Sequence, residues 1–177
     1  MTEPELHVIG EIKGGDGFKY DNAFCAFWVE KGKFWECVGG KESGQTQVDY
    51  PESGRDSFVW NHPVDLHYFM KSSQGWPAMN FEVWSLDSTG GKVLCGYGVC
   101  YIPSSPGSHE IKCPIWRPSG TPKEESMAYF LGTAPQLVDK SVIFKKASAH
   151  RYRLYTQTTG SVSLHLEVML RNPNSKS

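Results

Sequence analysis

Three of the chain's five cysteines, Cys95, Cys100 and Cys113, lie with His109 within nineteen residues, in the stretch LCGYGVCYIPSSPGSHEIKC. Thiolates and imidazole are the usual ligands of zinc, which needs three or four of them converging at about 2.0–2.3 Å. The spacing argues against convergence. Cys95 and Cys100 are five positions apart, so a continuous strand sends them to opposite faces unless Gly96 and Gly98 introduce a bulge. His109 and Cys113 share a strand face but stand about 13 Å apart at a rise of ~3.3 Å per residue. No Cys-x-x-Cys pair occurs, so redox chemistry has no motif. The cysteines read as small buried fillers on a strand whose glycines let backbone or bulky side chains come close.

WNHPVDLHY places His62, Asp65 and His67 within six residues. A strand puts Asp65 and His67 on one face, and Pro63 imposes extended backbone on the residue before it. A His–Asp relay or a metal needs a further partner, and no distant acid or nucleophile is signalled. The set reads as half-exposed strand residues bonded to their neighbours. Gly96-x-Gly98 lacks a third glycine and runs into a strand, so no helix N-terminus awaits a pyrophosphate. GGKESGQT carries the glycines and lysine of a phosphate loop in the wrong order, and no Gly-x-Ser-x-Gly elbow occurs. No catalytic residue, resident metal or cofactor is assigned, and the chain is expected not to be an enzyme.

The elements that must position these residues are strands. ELHVIGEI alternates, with Leu6, Val8 and Ile12 on one side, until GGDG breaks it. Ala23 to Val29 is apolar on both sides. GQTQVDY, SFVWNHPVDLHYF, MNFEVWSL, KVLCGYGVCYI and HEIKC follow, separated by Gly, Pro, Ser and Asp. HRYRLYT and SVSLHLEVML flank QTTG and read as a hairpin, its second strand turning Val162, Leu164, Leu166, Val168 and Leu170 to one side. One helix interrupts, with Thr121 as N-cap, Pro122 as first helical residue, Glu124 as capping-box partner and Gly132 as its end. The pattern predicts an all-β fold, an antiparallel sandwich of about eight strands with one short helix in a late connection.

With 177 residues, the expectation is a single domain over 1–177, its core about 6–172 and a short flexible tail at 173–177. An aromatic content of 13% supplies a packed core that a disordered chain lacks. The formal net charge is −1, with 18 basic and 19 acidic side chains dispersed along the chain. No basic stripe exists to neutralise phosphates, which excludes nucleic acid as a primary partner. The start MTEPELHVIGEIKGG lacks the basic residues and apolar run of a secretory signal. An odd cysteine count and the absence of an Asn-x-Ser/Thr sequon place the chain in the cytoplasm with reduced thiols.

The phrases HVIGEIKG, AFCAFWVEKGKFWECVGGKESGQTQVDYP, WNHPVDLHY, QGWPAMNFEVWSLDSTGG, LCGYGVCYIPSSPGSHEIKCPIWRP and RYRLYTQTTGSVSLHLEVMLRN run from Leu6 to Asn172. Together they resemble the B9-domain family. The resemblance implies a C2-like, eight-stranded antiparallel sandwich without catalytic activity. It also implies association with other B9-domain proteins and with Meckel-syndrome or tectonic-like complex subunits at the ciliary transition zone and basal body. There such proteins are cytoskeleton-associated, support ciliogenesis and contribute to a membrane-protein diffusion barrier.

Calcium-binding C2 domains gather loop aspartates, because the ion takes six to eight oxygen ligands. This chain offers only Asp16, Asp21 and Asp87, with Ser85 where such a site has its first aspartate, so the loop is read as degenerate and no metal is assigned. For calcium-independent membrane contact the candidates are Lys31, Lys33, Phe34 and Trp35, with Lys41 nearby and a second group at Phe144, Lys145 and Lys146. A stand-alone phospholipid-binding module is the alternative function. For partner binding the candidates are Trp76, Pro77, Trp116 and Arg117, since Trp and Arg are enriched at hot spots, and the turn Ser104, Ser105, Pro106. A hydrophobic corner plug is the equal alternative for both tryptophans.

Overall fold

The computed structural model describes residues 3–120, 122–124, 126, 136–137 and 156–172. The runs rich in β-branched and aromatic residues form β1 (Glu5–Asp16), β2 (Phe24–Glu30), β3 (Trp35–Gly40), β4 (Ser43–Gln45), β5 (Ser57–Met70), β6 (Ala78–Leu86), β7 (Lys92–Tyr101), β8 (Gly107–Pro118) and β9 (Thr156–Arg171). They make one antiparallel sheet in the order β3-β5-β1-β9-β8-β7-β6-β2-β4. β3 and β4 are neighbours in the chain yet lie at opposite ends of that order. Lys41 and Glu42 therefore carry the chain from one sheet edge to the other, and the sheet folds over into a sandwich.

One layer is β3-β5-β1-β9-β8 and the other β7-β6-β2-β4. Leu6, Val8, Leu66, Leu164 and Leu166 from the first meet Cys25, Phe27, Met79, Phe81 and Val83 from the second in a single core. The seam between layers is β7–β8, whose only registered pair is Tyr97 with Trp116. Two bulges meet there. The β6–β7 register shifts between Val83 and Trp84, which pair with Gly96 and Leu94 and leave Cys95 extra. The β8–β9 register shifts between Ile115 and Trp116, which pair with Gly160 and Thr158 and leave Thr159 extra. The Thr159 hydroxyl donates to the Cys95 carbonyl at 2.9 Å, tying the bulges together across the seam.

The sandwich, its antiparallel pairing and the inward row of β9 from Val162 to Val168 match the reading from sequence, while Leu170 at the end of that row is exposed; four further details differ. Among the described residues there are nine strands rather than eight, β3 being the addition. QTTG is no hairpin turn: β9 runs through it, because the extra Thr159 is absorbed as a bulge against β8. GGDG does not end β1. The strand continues to Asp16, its glycines paired on both sides with β5 and β9. GQTQVDY forms only the three-residue β4, after which Thr46 turns its side chain to accept the Cys25 N–H at 3.0 Å. In the late connection Pro122, Lys123, Glu124 and Ser126 are helical, and the Ser126 hydroxyl donates to the Pro122 carbonyl at 2.8 Å. Thr121 and Gly132, read as its cap and end, lie outside the described residues, as do Phe144, Lys145 and Lys146.

Candidate functional surfaces

The cysteine stretch resolves first. The bulge at Cys95 resets strand parity, so Cys95 and Cys100 both pack against the main core instead of facing opposite ways. This corrects the reading for a continuous strand. The glycines behave as expected: a Cβ on Gly98 would sit 2.4 Å from Ile115 Cδ1, and one on Gly96 2.8 Å from the Trp116 carbonyl oxygen. β8 thus packs directly over the glycine backbone of β7. Burial pushes the Cys95 thiol up to about 12. The Cys100 thiol is raised by its hydrogen bond with Cys113 and then by burial, and Cys25 is raised by burial and then by Cys113. These thiols stay protonated and non-nucleophilic near neutral pH. Among the described residues no group of three or more His, Cys, Asp or Glu is placed to hold a metal ion.

At the end of the sandwich carrying Asp16, Asp21, Ser85 and Asp87, side chains serve the turns. Asn22 is buried and clamps β6: its Nδ2 donates to the Leu86 carbonyl at 2.9 Å, and its Oδ1 accepts from Leu86 N–H at 2.7 Å and from the Ser85 hydroxyl at 3.3 Å. Asp87 Oδ1 accepts from the Thr89 hydroxyl at 2.7 Å and from the N–H groups of Thr89 and Gly91, both at 2.8 Å. Those bonds, the Thr89 hydroxyl first, hold its carboxyl below the usual range. Asp21 is exposed and Asp16 half-buried at the close of β1.

The lysine–aromatic group is split by packing. Trp35 is buried, its Nε1–H donating to the Gln74 carbonyl at 3.2 Å, so it presents nothing to a lipid surface. Lys31 is half-buried, ion-paired with Glu42 and placed over the Tyr68 ring at 5.7 Å. Lys33 is exposed and sits 5.1 Å from the centroid of the half-buried Phe34.

Of the partner-binding candidates, Pro77 is buried and Trp76 half-buried. The Trp76 ring stands edge-on to Trp35 at 4.9 Å, and its Nε1–H donates to the Ile102 carbonyl at 2.7 Å, the geometry of a corner plug. Trp116 is half-buried, packed on Tyr97 at 5.7 Å, and Arg117 beside it is half-buried. Ser104, Ser105 and Pro106 form an exposed turn, and the Ser105 carbonyl is 2.8 Å from His109 Nε2.

The two outer faces of the sandwich differ sharply, and sequence reasoning did not single out either. Outside β7-β6-β2, the side chains of Leu94, Tyr97, Asn80 and Glu82 are buried. Trp28, Trp84, Val99, Trp116 and Leu137 pack with Leu94 and Tyr97 into a second apolar cluster, and Leu137 N–H donates to the Tyr97 hydroxyl at 3.3 Å.

Outside β5-β1-β9-β8, histidines alternate with carboxylates. His7 pairs across β1–β5 with Asp65 at 3.0 Å, His67 with Glu5 at 3.2 Å, and His165 across β8–β9 with Glu110 at 2.8 Å. The His7 and His67 rings stack at 5.1 Å. Asp65 and His67 do share a face, but each takes a partner from β1 instead of the other, and no relay forms. His62 turns away to stand edge-on to Phe27 at 5.4 Å, where burial and then Lys41 lower its pKa. The signal for this face was present in the outward positions of ELHVIGEI and SVSLHLEVML, which carry His7 beside Glu5 and His165 beside Glu167.

Residues 6–169 match the family model B9-C2, described as ciliary basal body-associated B9 protein. The chain is 46% identical over 168 residues to B9 domain-containing protein 2 of Homo sapiens, covering 95% of this chain and 94% of that protein. To B9 domain-containing protein 2 of Danio rerio it is 44% identical over the same coverage. To B9 domain-containing protein 1 of Homo sapiens it is 28% identical, covering 94% of this chain and 82% of that protein. Among solved structures, a C2 domain of plant Extended Synaptotagmin 1 superposes with a TM-score of 0.47 at 11% identity, covering 97% of this chain and 98% of that one. An antiparallel sandwich whose sequence matches the B9-C2 model from Leu6 in β1 to Met169 in β9 belongs to the B9 family of ciliary basal body-associated proteins.

Proposed function

We propose that this chain is a non-enzymatic assembly subunit that acts in the cytoplasm at the ciliary transition zone and basal body. It binds other B9-domain proteins within the Meckel-syndrome or tectonic-like complex. In that role it supports ciliogenesis and the barrier that limits membrane-protein entry into the cilium. The observation that carries this reading is the 46% identity spanning 95% of the chain to B9 domain-containing protein 2. The reading takes residues 1–177 as one domain. It also fits the site chemistry, in which the Cys25, Cys95 and Cys100 thiols are held protonated and carboxylates are engaged with His7, His67 and His165.

The alternative, a stand-alone phospholipid-binding module, draws on Lys33 and Phe34 alone among the four residues assigned to it, because Trp35 is buried and Lys31 is paired. Co-expression with tagged B9 domain-containing protein 1 tests the assembly reading: co-purification at matched amounts is expected. Failure to co-purify, joined with sedimentation of the isolated chain on phosphatidylserine vesicles, would replace it with the membrane reading.

A further inference from the structure

We propose that the outer face of β5-β1-β9-β8 is the surface on which a second, different B9-type sandwich docks, through a sheet face that sets Lys and Arg among apolar side chains. This rests on the assembly reading above and names the surface it uses.

Three observations converge on it. First, the face is bare among the described residues. Ile9 is 43% and Met169 47% exposed, whereas the opposite outer face is closed over Leu94 and Tyr97. Second, it has the anatomy of an interface. Ile9, Met169 and half-buried Phe69 surround the stacked His7 and His67 rings, with Phe69 edge-on to His67 at 5.8 Å. Register places His7 opposite both His67 and Met169, and Ile9 opposite Asp65 and Glu167. Apolar and aromatic groups thus gather toward the end of the face that carries His7, Phe69 and Met169, with Asp65 and Glu167 flanking Ile9, a mix of anchors and charges of the kind found in hot-spot patches. Third, the size fits. Four strands about 4.8 Å apart and some ten residues long at ~3.3 Å each span roughly 600 Å² in projection, and the pleated side chains add to this. A standard interface buries about 800 Å² per partner.

Charge selects the partner. On these strands carboxylates (Glu5, Glu11, Asp16, Asp65, Glu110, Glu167) outnumber Lys and Arg (Lys13, Lys112, Arg117, Arg171). Two copies laid face to face would set acid against acid, so self-pairing is disfavoured and a basic counterpart is favoured.

The test compares wild type with Ile9→Lys, Met169→Lys and Glu167→Lys, each at an exposed position, and with Tyr50→Ser as a remote control at a residue 62% exposed. Each is co-expressed with tagged B9 domain-containing protein 1, and each variant's fold is checked by circular dichroism and thermal unfolding. Expected is at least a ten-fold loss of co-purified chain for the three face variants, with unfolding profiles like wild type and no loss for Tyr50→Ser. Retention of binding by all three while wild type binds overturns the face and leaves the assembly reading standing. Wild type that fails to bind overturns both. A wild-type homodimer that Ile9→Lys dissociates overturns the choice of a different partner.

Discussion

The two outer faces of this sandwich are both built from antiparallel strands, the shorter and more uniformly apolar β2, β6 and β7 on one side and the longer, alternating β1, β5, β8 and β9 on the other, and they end in opposite states. Outside β7-β6-β2 the outward positions hold Trp28, Trp84, Leu94, Tyr97 and Val99, which cluster with Trp116 and Leu137. Outside β5-β1-β9-β8 the equivalent positions hold His7, His67, His165 and their carboxylates. An aromatic outer row must be covered, because apolar area gains about 25 cal/mol per Å² on leaving water. A row of imidazole–carboxylate pairs remains hydrated at little cost, and exposed ion pairs of this kind contribute only about 0–1 kcal/mol each. The covered face therefore belongs to stability, and the bare one is left for recognition.

The sharpest way to break that contrast is truncation on both sides. Leu94→Ala, at a position with no exposure, should cost about 2–5 kcal/mol in urea unfolding. Ile9→Thr, which keeps the β-branch on the bare face, should stay within about 0.5 kcal/mol. Equal losses would mean that both faces support the fold.

A smaller effect is expected at the seam between the layers. Thr159→Val removes the hydroxyl that reaches the Cys95 carbonyl and should cost about 1 kcal/mol, since a part-buried carbonyl loses its side-chain donor. No change would show that the two bulges are held by packing alone.

The smallest effect is a titration on the bare face. The His165 hydrogen bond, followed by Lys13, holds the Glu110 carboxyl below its ordinary 4.5. A depressed carboxyl pKa contributes stability that is present above the unfolded value and is lost as pH falls through the folded one. The Glu110 carboxyl carbon should accordingly titrate below pH 4.5 by NMR, and His165→Ala should move its midpoint upward. A midpoint unaffected by that change would mean that the pair does not persist in solution.

The strands themselves were legible wherever alternation was long, as in SVSLHLEVML, because a period of two leaves one buried row. β3 escaped notice because KFWECVGG has no clean alternation, and its Trp35 looked like a surface aromatic. Pairing with β5 and a hydrogen bond to Gln74 put that ring inside. QTTG looked like a turn because Thr and Gly are turn residues, yet opposite β8 the same residues make a bulge. The histidine face was half-visible: each strand showed His beside acid at outward positions, but pairing His7 with Asp65 required the β1–β5 register.

Composition and alternation alone determined that this protein is an antiparallel β-sandwich whose cysteines Cys25, Cys95 and Cys113 are buried as small fillers, since both follow from local periodicity and the hydrophobicity of the side chains. The phrases along the chain also carried its B9 resemblance. Only the tertiary structure decided that Cys95 and Cys100 face one core, that Trp35 and Pro77 are inside, and that one outer face is covered while the other is bare. Those outcomes depend on register shifts and layer contacts between residues far apart in sequence, and a one-residue bulge is enough to send a side chain to the opposite face.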